Sequence, residues 1–340
     1  MSLPLPLRAM RFARTALTAT LLATIATGCS VSREPLPAPS PLPAALRPGI
    51  HEAGLNGVRH WYKVAGQSAA SVPPVVFLHG GPGGNTYNFE ATAGALLERT
   101  LPVVYFEQRG SGRSERPASG DYATATLAED LEALRVHLGV TRISIVTHSF
   151  GTVIGLAYAA RYPQRVARMV IAGGLADAPA SCRENSQRLA QRRPDAFASA
   201  FPEGVAAVPD EEICGRVFQA VPGKAGEELR TADMFPNETT LRRFRELEAA
   251  SGLRNTGELG GYQFRNGLLQ YRFTQQARLA MPILVIAGRH DWAAGPQTQR
   301  ALARSLPNAR FVEYENAGHW MFIDEPERFA RDASAFLLGR

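Results

Sequence analysis

Lysine is nearly absent from this 340-residue chain: only Lys63 and Lys224 occur, and arginine carries the positive charge. No block of consecutive basic residues of useful length forms, so the formal charge of +6 is scattered, and Arg8, Arg11 and Arg14 near the start supply three units of it. A nucleic-acid surface is therefore not indicated. Cysteine is scarce as well, at three residues, and neither a cysteine ladder nor a His-Glu-x-x-His stretch occurs. Nothing in the sequence calls for a bound metal or another cofactor. Long apolar runs are also missing. The run from Ala16 to Ala26 is too short and too rich in threonine for a comfortable membrane span. What remains is a chain with 45% hydrophobic residues, enough to bury one large core or a core with a smaller inserted domain.

Residues 1–28 have the form of an export leader: a short arginine-bearing segment without acids, an apolar run, then Thr27-Gly28-Cys29-Ser30. This resembles a bacterial lipoprotein signal, with Cys29 as the residue that becomes lipidated; ordinary secretion is the alternative. Export to the cell envelope is expected, with the lipid anchoring the chain at the outer membrane or the periplasmic face. Residues 29–48 repeat proline at 35, 37, 39, 41, 43 and 48, which suits an extended tether. With Cys29 set aside, Cys182 and Cys214 remain, and an exported protein can pair them or keep two thiols.

From Pro74 onward, short apolar segments alternate with helical ones. Pro74 to Leu78, Leu101 to Phe106, Ile143 to Val146 and Arg168 to Gly173 read as buried strands, and Leu127, Leu131, Leu134 and Leu138 mark an amphipathic helix between two of them. The alternation stops at about residue 176. An arginine- and glutamate-rich stretch with helical pieces at Ser186 to Arg193, Glu211 to Ala220 and Thr240 to Ala250 follows, and strands resume at Pro282 to Ala287 and Arg310 to Tyr314. The expected architecture is a mostly parallel α/β core (residues 49–175 and 279–340) flanked by helices, with a helical cap inserted at 176–278.

Candidate chemistry gathers at strand ends. Thr147-His148-Ser149-Phe150-Gly151 joins a strand to a small-residue helix, the form of the sharp elbow that presents a serine nucleophile in the α/β-hydrolase fold. Serine could otherwise serve there as a plain helix cap. His79-Gly80-Gly81-Pro82-Gly83-Gly84 follows another strand, and its backbone can offer an N–H to an oxyanion, with Gly81 and Phe150 as the two donors. Asp291 follows the first strand beyond the cap, with Asp324 as the weaker alternative, and His319 lies in the loop after the last strand. A serine hydroxyl needs an imidazole to take its proton, and the imidazole needs a carboxylate to orient it. The order Ser149, Asp291, His319 belongs to the α/β-hydrolase arrangement. His148 is expected to point away from the serine and pack in the loop.

The glycine loop, Glu107-Gln108-Arg109-Gly110-Ser111-Gly112-Arg113-Ser114 and the three catalytic candidates together resemble the proline iminopeptidase group of α/β-hydrolases, serine aminopeptidases that remove an N-terminal residue. Thr147, His148, Phe150 and Glu107 depart from that group's usual residues. The resemblance implies catalytic roles for Ser149, Asp291 and His319, and small peptides as substrates. It also implies cap residues that bind the free amine, with Glu258 and Tyr262 as candidates, although Glu258 also suits a solvated helix face. A carboxylic ester hydrolase and a non-catalytic lipoprotein binding module on the same fold are the alternatives. An epoxide or haloalkane hydrolase would need an aspartate where Ser149 stands.

Overall fold

The computed structural model describes residues 43–66 and 72–340. The leader, Cys29 and most of the tether lie outside the described residues. Residues 44–46, expected to close the tether, form a single helical turn that buries Leu46, and the Tyr62 hydroxyl donates to the Ala45 carbonyl at 3.2 Å. Leucine at 46 offers the core an apolar anchor that the surrounding prolines lack, so packing begins before the expected boundary at 49.

Eight strands form one sheet: β1 (Gly49–Leu55), β2 (Val58–Ala65), β3 (Val75–Leu78), β4 (Val103–Phe106), β5 (Ile143–His148), β6 (Val166–Ala172), β7 (Ile283–Gly288) and β8 (Ala309–Tyr314). Their spatial order is β1-β2-β4-β3-β5-β6-β7-β8. The pairs β1/β2 and β2/β4 are antiparallel, and the others are parallel. The chain steps from β3 outward to β4 and then returns to the far side of β3 for β5. That reversal opens a crevice at the carboxyl ends of β3 and β5, where open α/β sheets place their ligands.

The helices follow from the apolar pattern. Beside the short α1 (Tyr87–Phe89) and α2 (Ala95–Leu97) come α3 (Thr124–His137) and α4 (Gly151–Arg161). Strands β3, β4, β5 and β7 are buried at every position because both faces of the sheet are covered. Val76, Leu78, Ile283 and Val285 share one cluster with Leu131, Leu134 and Val153 of α3 and α4 and Leu302 of the later helix over β7, while the alternate residues Val75, Phe77, Leu284 and Ile286 join Phe322, Phe329 and Phe336 on the other face. Burying each such side chain contributes about 1.5–3 kcal/mol.

Between β6 and β7 the chain leaves the sheet for the cap: α5 (Ala178–Arg192), α6 (Pro194–Ala200), α7 (Asp210–Gln219), α8 (Gly223–Ala232), α9 (Glu238–Ser251) and α10 (Glu258–Arg265). The core then closes with α11 (Pro296–Ser305), α12 (Met321–Asp324) and α13 (Pro326–Leu337). The architecture is an α/β-hydrolase core carrying an inserted helical lid. Helix α5 begins well before the expected Ser186. Asp177 caps it by accepting the Ala180 N–H at 2.9 Å, and Pro179 sits in the first turn, where no intrahelical N–H is required. Among the described residues no helix is long and apolar enough to cross a membrane.

Candidate active site

The turn after β5 holds Ser149 at φ +50°, in the left-handed region that non-glycine residues seldom occupy. The strand and helix close tightly there: a Cβ on Gly151 would stand 2.2 Å from the Leu78 carbonyl oxygen. Thr147 occupies a place where the related group commonly has glycine, and its neighbours explain how. Its Oγ1 lies 2.8 Å from Thr152 Oγ1, and its methyl group fills space that Gly155 leaves open, since a Cβ there would approach it to 2.7 Å. The room that glycine would give at 147 has moved one helical turn along α4.

Gly81 follows β3 with φ +125°. Neither its N–H nor that of Phe150 donates to another backbone group among the described residues. Both residues border a cavity of about 140 Å³ together with Ser149 and His319. The loop is held from behind by His79, whose ring nitrogens meet the Gly80 carbonyl at 2.9 Å and the Gln108 N–H at 3.4 Å, while the Gln108 side-chain amide donates to the His79 carbonyl at 2.9 Å. Burial pushes the His79 pKa down to about 4, outweighing its bond to Gly80, so the ring is neutral at physiological pH.

In the loop after β4, Glu107 and Arg109 both tie down backbone but do so separately. Glu107 accepts the Arg113 N–H and its guanidinium, whereas Arg109 grips Asp130 of α3 through two nitrogens and donates to the Asp121 carbonyl. Burial raises the Glu107 pKa, and the Arg113 contacts oppose that rise.

Asp291, fully buried after β7, accepts the Ala293 and Ala294 N–H groups at 3.0 and 2.9 Å. His319 Nδ1 lies 3.0 Å from each of its carboxylate oxygens. The His319 backbone is also held. Its N–H donates to the Met234 carbonyl of the cap at 2.8 Å, and its carbonyl meets His148 Nε2 at 2.9 Å. Gly173 backs the pair, because a Cβ there would lie 3.0 Å from Asp291 Oδ2 and 3.1 Å from His319 Nδ1. Asp324 lies on the other side of the loop and accepts the Gly318 N–H at 2.8 Å. Burial lifts its pKa to about 6. Ser149 and His319 border the same two cavities, and no hydrogen bond joins their side chains among the described residues.

The larger of these two cavities, about 490 Å³, extends from Ser149 past Phe89, Phe244, Trp320 and Phe322 to Glu227 and Arg230 of the cap. Its wall also carries Asn88 and Glu248, joined by a 2.6 Å bond from the Asn88 amide nitrogen to a Glu248 oxygen. The Asn88 Oδ1 is buried without a partner. Burial raises the Glu248 pKa, and the Asn88 bond opposes that rise.

The structure places Glu258 and Tyr262 elsewhere. Both border a separate open groove, where Glu258, half exposed, pairs with Arg116 at 3.6 Å and accepts the Thr256 hydroxyl at 2.9 Å. Tyr262 meets Tyr122 edge-on. Neither borders a cavity containing Ser149, because the first turn of α10 faces the loop at residues 116–122. The acidic groups that do reach the Ser149 cavity are Glu227 and Glu248. Glu248 had a legible signal: it follows Phe244 and Leu247 on the inward stripe of α9, a carboxylate where an apolar residue would ordinarily stand. Cys182 of α5 and Cys214 of α7 form a disulfide, and both border the smaller cavity.

Residues 73–326 match the alpha/beta hydrolase fold family. A proline iminopeptidase of Levilactobacillus brevis is 28% identical over 286 residues, covering 82% of this chain and 92% of that protein. The crystal structure of a proline iminopeptidase-related protein from Thermus thermophilus superposes with a TM-score of 0.68 at 26% identity, over 86% of this chain and 98% of that one. A thermophilic esterase from Thermogutta terrifontis shares the fold, with a TM-score of 0.61 at 20% identity and coverage of 86% and 98%.

Proposed function

We propose that this chain, which belongs to the α/β-hydrolase family in its proline-iminopeptidase-like clade and is a serine hydrolase, is an aminopeptidase that releases an N-terminal residue from small peptides. Ser149 attacks the scissile carbonyl as His319 takes its proton, and the Gly81 and Phe150 N–H groups receive the oxyanion. Asp291 fixes the Nδ1–H tautomer of His319 and stabilises the imidazolium. His319 then protonates the departing amine, and water, activated by the same base, releases the acid from the acyl-enzyme.

The observation that carries the peptidase reading is Glu248 beside Asn88 in the cavity that holds Ser149. The Glu248 carboxylate, held by the Asn88 amide, is an acceptor suited to an α-ammonium group. The apolar lining of the smaller cavity, with Leu175, Leu268 and Leu269, favours ester hydrolysis as the second reading. Matched prolyl and alanyl arylamides, with free and blocked N-termini, beside a short-chain aryl ester, separate the two. Cleavage of the free-amine amides with the blocked ones inert is expected. Cleavage of the ester alone would move the protein to the esterases.

The leader and Cys29 support an exported, lipid-anchored protein, and the Cys182–Cys214 disulfide suits an oxidising compartment. Metabolic labelling with a radioactive fatty acid should mark the wild type and not Cys29→Ala; equal labelling of both would refute the anchor.

A further inference from the structure

His148 is a fully buried titratable ring next to the nucleophile, and the acyl-enzyme reaction gives it no task. It does not simply fill the loop. Its Nε2 lies 2.9 Å from the carbonyl oxygen of His319, and a carbonyl can only accept, so Nε2 must carry the proton. In the neutral ring Nδ1 is then bare, and it faces Gly80, where a Cβ would come within 3.1 Å of it. The ring is boxed in by His319 at 4.7 Å between centroids, Trp320 at 4.5 Å and Phe322 at 4.9 Å. One dipeptide at the end of β5 therefore carries the serine and reaches across to the backbone of the residue that must accept the serine's proton.

Resting on the assignment of Ser149 as nucleophile and His319 as base, we infer that His148 is a positioning residue that ties the base loop to the nucleophile strand. The His319 backbone then has two supports, the Met234 carbonyl from the cap on its N–H and His148 from the sheet on its carbonyl. Removing the second leaves the His319 main-chain groups held by the cap alone, with Asp291 still on the ring, and the distance from Ser149 to its base becomes subject to cap motion. The tie must also be uncharged. A second imidazolium within 5 Å would oppose proton uptake by His319. Burial, with the His319 charge next in weight, drives the His148 pKa well below its ordinary value, and the other titratable ring close to it, His79, is likewise neutral.

Three proteins test this: His148→Phe, which fills the site without a donor, His148→Gln, which restores a neutral donor near the Nε2 position, and Ser149→Ala. The readouts are the rate of fluorophosphonate labelling and kcat and KM on an aryl ester, with thermal unfolding as the fold control. H148F should lose about 100-fold in labelling rate and kcat, the cost of a misplaced base, with KM little changed; H148Q should recover most of the loss. An H148F enzyme with the wild-type rate overturns the proposal. So does an equal loss in both variants, which would mark simple ring packing. If H148F does not fold, selective ¹⁵N-histidine spectra of the wild type decide the matter, because a neutral Nε2–H tautomer at His148 is required and a charged or Nδ1–H ring refutes it. Labelling that persists in S149A would instead overturn the nucleophile assignment and leave the contact between His148 and His319 as a separate question.

Discussion

Replacing Glu248 with glutamine preserves its length and the acceptor that Asn88 uses at 2.6 Å, and removes only the charge. If this carboxylate receives the substrate's α-ammonium, the variant forfeits one hydrogen bond to a charged group, worth about 1.5–3 kcal/mol. That corresponds to a loss of about 10- to 150-fold in kcat/KM. The loss should be confined to substrates with a free N-terminus; an aryl ester lacking the amine should be turned over as before. Burial raises the Glu248 pKa, so the wild-type kcat/KM for free-amine substrates should fall on acidification from a pH above the ordinary carboxylate range. E248Q should lack that limb. The sign for stability is opposite to that for activity. A carboxyl with a raised folded-state pKa contributes stability that is complete below its unfolded pKa and disappears as pH rises through the folded value. E248Q escapes that loss and should melt no lower than the wild type at neutral pH, so a drop in activity would not reflect unfolding. Equal kcat/KM values for E248Q and wild type on a free-amine arylamide would refute the reasoning.

Asp324→Asn should alter the pH dependence of stability. A carboxyl lifted from 3.8 to about 6 weakens the folded state by about 3 kcal/mol at most once ionised, so the wild type should lose stability between about pH 4 and 7 relative to D324N, in urea melts at several pH values. Parallel curves would contradict this. Gly173→Ala places a methyl group 3.0 Å from Asp291 Oδ2 at φ +52°, a conformation costing alanine roughly 1–2 kcal/mol. It should lower fluorophosphonate labelling on the order of 100-fold, more than its small loss in melting temperature would explain; an unimpaired labelling rate would show that the pair tolerates displacement.

How much the sequence reveals depends on how local the determinant is. Alternating apolar segments and glycine-punctuated loops identify β3, β5 and β7 and the turns at their carboxyl ends, because each motif is set by backbone needs within a few residues. Thr147 is harder to read, since its tolerance depends on Gly155, a turn away on α4 and facing it only after the elbow forms. The cap is less legible still. Helix α5 starts at Ala178 rather than the expected Ser186, with Pro179 in its first turn, and Glu258, a candidate for binding the free amine, instead pairs with Arg116. Which acid reaches the cavity is decided by how α8 and α9 lie over the sheet, a matter of tertiary packing. The role of His148 is hidden for the same reason: its partner is the backbone of residue 319, which no side-chain pattern can announce.

The central claim is that Ser149 forms a covalent intermediate with His319 as its base. The most direct measurement is intact-mass and peptide mapping after reaction with a fluorophosphonate, for wild type, Ser149→Ala and His319→Ala. The account predicts one adduct, carried by the peptide containing Ser149, absent from S149A and greatly slowed in H319A. An unlabelled wild type, or an adduct that survives the loss of Ser149, would contradict it.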